Sequence, residues 1–308
     1  MSRIDFYDQI EKNKRYSWVL IAVVFMAVLA FSMIFAAIIS QQMGAGGFFI
    51  FLMFATVFNI GYILVTYYKS ANIALGSVKA VKADKVRHQK LVNIVEEMSI
   101  AGGMPKPEVY VMPSPDINAF ATGRDPEHSV VCVTEGALAK LNREELQGVI
   151  AHEMTHIRNY DIRFVTLVAV MVGLVSIMSQ MFLRSLWYSS LTGGRRNRNS
   201  GGGFGIALMI IGIVLSIVAP MIVKLVQLAI SRKREYMADA GAVELTRYPM
   251  GLLGALKKIR DEGKAGLKTK VNSAVAPMFI EDPSQNRVMG LFNTHPPIGD
   301  RIKVLESM

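Results

Sequence analysis

His152-Glu153-Met154-Thr155-His156 decides how this chain is read. The residues around it have helical periodicity, and on a helix positions four apart lie one above the other. Both imidazoles then face one side and can share a single Zn²⁺. Glu153 stands beside the first of them, within reach of a water at that ion, where a carboxylate can act as general base. These side chains are the minimal apparatus for hydrolysing a peptide bond. The alternative is a pair of core histidines on an ordinary helix, and the residues further out weigh against it.

Upstream, Asn142-Arg143-Glu144-Glu145 reads as a capping box, with Asn142 at the N-cap and Glu145 three residues on. The helix it starts carries Leu146, Val149, Ile150, Glu153 and Ile157 at helical spacing. That stripe packs on a sheet, and His152 and His156 lie beside it, toward a cleft. The sheet is read from the preceding segment. Glu108-Val109-Tyr110-Val111-Met112 is one strand, broken by Pro113, Pro115 and Asp116. Asn118-Ala119-Phe120-Ala121-Thr122 is a second, closed by Gly123, and Ser129 to Thr134 is a third. Either Ser129 or Thr134 caps the segment after it.

Downstream, a zinc site of this kind needs a third protein ligand. Glu235, in Ser231-Arg232-Lys233-Arg234-Glu235-Tyr236-Met237-Ala238-Asp239, is the residue expected to supply it from a helix. Asp239 lies one turn on, on the same face, where it can accept the free ring N–H of a ligand histidine and fix its tautomer. The other reading of this segment is a solvated charged helix face.

The chain has 308 residues and is 52% hydrophobic, with the apolar residues clustered. Tyr16 to Tyr68, Phe164 to Leu183 and Phe204 to Val223 contain no Asp, Glu, Lys or Arg. About 20 apolar residues cross a bilayer. The first run holds two spans, broken near Gln41-Gln42-Met43-Gly44-Ala45-Gly46-Gly47, and each of the others holds one. The expected count is therefore four transmembrane helices. A second span comes directly after the first, so the N-terminal run is read as an anchor rather than a signal peptide. The chain divides into an N-terminal transmembrane hairpin, 1–69, and a first catalytic part with the H-E-x-x-H helix, 70–163. A second hairpin, 164–223, and a second catalytic part with the third ligand, 224–308, complete it.

Basic residues set orientation. Arg3, Lys12, Lys14 and Arg15 precede the first span, and Lys69, Lys79, Lys82, Lys85 and Arg87 come after the second. The catalytic parts therefore face the cytoplasm, as a multi-pass protein of the cell's inner (plasma) membrane. Arg184, Arg195, Arg196 and Arg198, between the last two spans, run against this rule. A shallow hairpin that covers the catalytic part without crossing is the competing reading of 164–223. The net charge of +10 accompanies no nucleic-acid motif, and its partner is anionic membrane lipid, not nucleic acid. The single cysteine, Cys132, sits in an apolar run and is expected in the core.

Taken with Asn118-Ala119-Phe120-Ala121-Thr122-Gly123, Glu235-x-x-Ala238-Asp239 and Thr294-His295-Pro296-Pro297 with Arg301 beyond them, the sequence resembles the HtpX-type membrane zinc metalloproteases. These are M48 peptidases, related to the CAAX prenyl proteases. The resemblance implies an α+β fold: a zincin-like (gluzincin) catalytic domain with a small mixed sheet, plus four transmembrane helices. It implies one Zn²⁺ per chain, an edge strand at Asn118, Ala119, Phe120 and Ala121, and His295 near the metal. It also implies a role in membrane-protein quality control and the stress response, with unfolded or damaged membrane proteins as substrates.

The expected chemistry is metal-assisted hydrolysis of a peptide bond. His152, His156 and Glu235 hold the metal and Glu153 is the base. His295 is the candidate donor to the tetrahedral intermediate, its alternative being a turn histidine. The strand at Asn118 to Ala121, if its edge is exposed, pairs with an extended substrate; otherwise it is an ordinary buried strand. His88 and His128 are read as surface residues. Lys257 to Asn272 is read as a lid or loop. The competing functions are a prenyl-protein endopeptidase and a membrane scaffold with a structural zinc.

Overall fold

The computed structural model describes residues 6–166, 234–265, 279–280 and 296–308, together with positions 180, 184 and 213. The chain forms two compact units. One comprises Trp18–Thr66 and Val168–Val226; the other comprises Met1–Ser17, Tyr67–Leu167 and Gln227–Met308.

Helix α1 (Phe6–Ser77), whose residues 18–66 belong to the first of these units, is two helices joined at Gly44, with φ 72° and ψ −172°. Glycine takes such a backbone without a Cβ clash. The break falls inside the glycine-rich stretch where the sequence predicts it. The two arms lie side by side: Asn59 Nδ2 donates to Ser32 Oγ at 3.1 Å, a buried pair 27 residues apart. Among the described residues one segment is long and apolar enough to span a membrane, Gly46–Val65, with mean hydropathy 2.3. Its large apolar side chains face outward, Phe49, Phe54, Val57 and Phe58 among them. The two later runs expected to span lie almost wholly outside the described residues.

The other unit is built on a four-stranded mixed sheet, in the order β1-β2-β4-β3. The strands are β1 (Val81–Lys82), β2 (Glu108–Met112), β3 (Ala119–Gly123) and β4 (Ser129–Thr134). β2 runs parallel to β4, and the pairs β1/β2 and β3/β4 are antiparallel. Both faces of the sheet are covered, so β4 is buried at every residue and reads as a continuous apolar run. One face, with Val109, Val111, Val131 and Val133, packs on helices α2 (Gln89–Gly102) and α4 (Arg143–Arg158). The other, with Met112, Phe120, Val130 and Cys132, meets Ala74, Leu75 and Val78 at the end of α1 and Phe279. Cys132 is buried, as expected.

Thr134 caps the short helix α3 (Glu135–Lys140) by accepting from the Ala137 N–H at 3.1 Å, which settles the Ser129/Thr134 alternative. α4 begins with the predicted capping box: Asn142 Oδ1 accepts from the Glu145 N–H, and Glu145 Oε2 accepts from the Asn142 N–H, both at 2.8 Å. The described part of α5 covers 161–166, and that of α6 covers 234–246. α7 (Pro249–Ala265) packs along α4 and α8 (Ile298–Glu306) packs on α7.

α7 corrects one expectation. Residues 257–265 are helix, not lid or loop. Leu252, Leu256 and Ile259 bury one face of that helix in the core. The charged residues that suggested a loop are tied down on the other side: Lys258 to Glu145 at 2.6 Å, Lys257 to Glu306 at 2.8 Å, and Glu262 to Lys140. Residues 266–272 lie outside the described part.

Candidate active site

α4 carries His152, Glu153 and His156 through the middle of the catalytic unit. Apolar residues of α4 pack on the sheet and on α7, so this polar triplet is held where water scarcely reaches. His152 is 1% exposed and Glu153 2%. α4 ends at Arg158 with Asn159 as its C-cap, and Tyr160 takes a positive φ of 59°. The reversal returns Asp161 to the helix it has just left, and Asp161 Oδ2 lies 3.0 Å from His156 Nδ1.

The third donor comes from α6. Gly241 lets α6 approach α4 closely, for a Cβ there would run into the Thr155 side chain. Two turns earlier on α6, the Glu235 carboxylate meets both rings. His152 Nε2 and His156 Nε2 are 3.2 Å apart. They lie 3.5 Å from Glu235 Oε2 and 3.6 Å from Glu235 Oε1, respectively. All three donors fall within 4.8 Å of one another. A tetrahedral zinc with bonds of about 2.0–2.1 Å spaces its donors by about 3.3 Å, so this set fits one ion with little rearrangement.

The charges around the donors favour a cation between them. Asp239 Oδ1 is 3.0 Å from His152 Nδ1, so each ring has a carboxylate at Nδ1 and turns Nε2 toward Glu235. Burial and the Arg301 charge depress the His152 imidazole, but its hydrogen bonds to Asp239 and Glu235 outweigh them, leaving it at about 9. His156 is depressed by burial and raised further by Asp161 and Glu235. Asp239 is pushed up by burial, yet Arg301 and His152 hold its carboxyl below the ordinary range. Glu153 moves the other way. Burial raises its carboxyl against the pull of the two histidines, with the Glu235 charge adding to the rise. A carboxylate raised in this way is a better base.

These groups open on a cleft lined on its apolar side by Ala121, Ile162, Val165, Phe279 and Ile280. β3 is the edge strand in the sheet order, but the expectation of an exposed edge needs correcting. Asn118, Ala119, Phe120 and Ala121 are all buried. Phe279 forms an antiparallel bridge with Phe120, and the Ile280 N–H donates to the Ala119 carbonyl at 3.0 Å. Phe120 faces away from the donors and packs against Phe279 with the rings tilted, centroids 4.9 Å apart. Asn118 turns inward, its Oδ1 accepting from the Ala119 N–H at 3.0 Å. Of the four, Ala121 lines the cleft.

His295 lies outside the described residues. His88 and His128 are held in local turns, with Asp84 and Asp125 respectively. Arg234, grouped in the sequence with a solvated basic run, is instead buried, 3.5 Å from Asp161 and over the Phe164 ring. Sequence reasoning assigned no role to Asp161, Arg234 or Arg301. A carboxylate five residues past the second histidine, beyond a helix end, was the one signal available for Asp161. Arg301 has no local signal, because its partners are 21 to 149 residues away.

The sequence pattern of peptidase family M48 matches residues 85–308. A protease HtpX homolog of Caldanaerobacter subterraneus subsp. tengcongensis is 49% identical over 257 residues, 83% of this chain and 84% of the relative. One from Thermoanaerobacter pseudethanolicus is 43% identical over 317 residues, 100% of this chain and 99% of the relative. Among solved structures, the crystal structure of S. mikatae Ste24p superposes with a TM-score of 0.51 at 18% identity, covering 94% of this chain and 67% of that one. That likeness extends the shared fold beyond recognisable sequence. From the helix that carries His152 and His156 to the C-terminal helix that carries Arg301, the chain belongs to peptidase family M48 and is a metal-dependent protease.

Proposed function

We propose that this protein is a multi-pass membrane zinc endopeptidase that cleaves unfolded or damaged membrane proteins on the cytoplasmic side, as part of membrane-protein quality control. One observation carries the chemistry: two Nε2 atoms and the Glu235 carboxylate converge beside the buried Glu153.

His152, His156 and Glu235 hold the ion. Bound there, zinc supplies Lewis acidity to the scissile carbonyl and to the attacking water. Asp239 and Asp161 accept the Nδ1–H of His152 and His156, which keeps both rings in the tautomer whose Nε2 lone pair faces the ion. Glu153 takes one proton from the attacking water as its oxygen bonds to the carbonyl carbon. It then delivers that proton to the nitrogen as the C–N bond breaks. His295 is the proposed second donor to the developing oxyanion. The extended substrate runs through the cleft past Ala121, the residue of β3 that lines it.

The membrane part of the proposal rests on Gly46–Val65 and on the charge-free runs of the sequence. Four spans, in hairpins at 1–69 and 164–223, separate the catalytic parts 70–163 and 224–308. Metal assembly then requires both parts, because Glu235 lies beyond the second hairpin. The basic flanks at the N-terminus and after residue 68 favour a cytoplasmic active site in the inner (plasma) membrane, against anionic lipid.

The test is Glu153→Gln in the full chain. It should keep the wild-type zinc content and lose cleavage of a membrane-protein substrate. Turnover by a zinc-loaded E153Q sample refutes the base. Glu235→Ala should lower bound zinc, and unchanged metal content removes it from the ligand set.

A further inference from the structure

Arg301 heads the fully buried side chains of the described residues by size, at 1% exposure. Burying an unpaired guanidinium costs several kcal/mol, so such a group persists only where its faces are matched. Arg301 does this by reaching from α8 to three other segments. Its Nε donates to Asp239 Oδ2 at 2.9 Å and its Nη2 to Asp239 Oδ1 at 2.6 Å, a two-point fork on α6. Nη2 also lies 3.4 Å from Nδ1 and 3.5 Å from Nε2 of His152, near-equal distances that set it against the ring rather than on one nitrogen. Nη1 faces Glu235 Oε2 at 3.4 Å and donates to the Ile280 carbonyl at 3.4 Å.

We infer that Arg301 is a positioning residue of the metal site: its fork sets the Asp239 carboxylate, and through it the His152 ring, at the angle needed for Nε2 to meet the other donors. This rests on the reading of His152, His156 and Glu235 as ligands. Asp239 Oδ1 is shared between Arg301 Nη2 and His152 Nδ1. With both carboxylate oxygens pinned by the fork, the carboxylate cannot turn, and the remaining acceptor direction of Oδ1 points at the imidazole. A lysine places the same charge but cannot make two parallel bonds.

The competing role is charge balance among Glu153, Glu235 and Asp239. The two roles differ in sign. By Coulomb's law a fixed cation beside a metal site repels the ion, so a role in charge alone predicts tighter zinc binding when the arginine is neutralised. Positioning predicts weaker binding. With Arg301→Lys the charge is kept, and charge balance predicts no change.

The experiment is a chelator-competition titration of the full, metal-stripped chain with zinc alone, in detergent, with size exclusion and circular dichroism as fold controls. Arg301→Lys should raise the zinc dissociation constant about 10–100-fold, the range seen when the groups that orient metal ligands are lost. Asp239→Asn should do the same, and the double variant should be no weaker than D239N alone, because the arginine acts through that carboxylate. Arg301→Gln should also bind more weakly. Wild-type affinity in R301K, tighter binding in R301Q, or losses that multiply in the double variant each overturn the inference. Failure of the ligand reading shows separately, as an E235A chain that takes up zinc like wild type whatever R301K does.

Discussion

The two histidines of α4 stand one turn apart, yet their surroundings are built differently. His156 takes its carboxylate from the turn that ends its own helix, Asp161 being five residues on. His152 takes Asp239 from α6, and Asp239 is forked in turn by Arg301 from α8. An arginine stands behind each carboxylate, but in unlike contacts. Arg301 makes paired bonds of 2.6 and 2.9 Å, whereas Arg234 lies 3.5 Å from Asp161 and rests on the Phe164 ring, 4.3 Å from its centroid. The His152 side chain is 1% exposed and that of His156 15%. One donor is oriented by tertiary structure and almost wholly buried; the other is oriented by local sequence and partly exposed, though both line the cleft.

This asymmetry is most strongly tested by removing the carboxylates in turn. Asp239→Ala leaves Arg301 buried without its fork, a situation that costs about 3–5 kcal/mol of stability. It should therefore lower both the melting temperature and zinc affinity. Asp161→Ala should cost about tenfold in zinc affinity, with a smaller loss of stability, since Arg234 keeps its ring. Thermal melts and zinc titrations of the two variants measure the difference. Equal losses of stability would erase the distinction between the buried donor and the partly exposed one.

A subtler perturbation moves the helix instead of the carboxylate. Gly241→Ala sets a methyl against Thr155 and should push α6 away from α4, at a cost of about 1–3 kcal/mol. Asp239 and Glu235 ride on α6, while Asp161 does not. G241A should therefore loosen the His152 contacts and leave the His156–Asp161 pair in place. Thr155→Ala on the same chain makes room for the methyl and should recover most of the stability. A double variant no better than G241A would mean that the close approach is not what the glycine provides.

The same division between local and distant structure governs what could be read in the sequence. The capping box at Asn142 and Glu145, the strands β2 and β4 and the break at Gly44 are each specified by adjacent residues, and each appears where expected. That His152, His156 and Glu235 lie together is legible from a motif plus a helix face. The features the sequence hid depend on chain far away. β3 looked like an open edge until Ile280 was seen to bond Ala119. Residues 257–265 looked like lid or loop because Lys257 to Asn272 is rich in Lys, Gly and Asp, yet the charges of the helical part pair with Glu306, Glu145 and Lys140. Arg301 stood out only as the residue beyond Thr294-His295-Pro296-Pro297, and it had no role until its partners converged on it.

The smallest expected effect asks whether the sheet needs the site at all. Cys132 lies on the face of β4 that meets Phe120 and Phe279, opposite the face packed on α4. Burial pushes its thiol from 9.0 up to about 12, and thiolate is the reactive form. A thiol raised on folding contributes stability that is whole below its ordinary value and falls away as pH climbs toward the raised one, so nothing should be lost near neutrality. At pH 8, then, a thiol reagent should leave native Cys132 unlabelled, label it in denaturant, and leave it unlabelled after a chelator has stripped the metal. The last result would mean that the sheet and α2 form a core that stands without the ion, while the ion organises only the facing ends of α4, α6 and α8. Labelling on metal removal alone would mean the reverse: with Phe279 packed on the Cys132 side and Ile280 held by Arg301, loss of the site would have freed the edge of β3 and opened the core behind it.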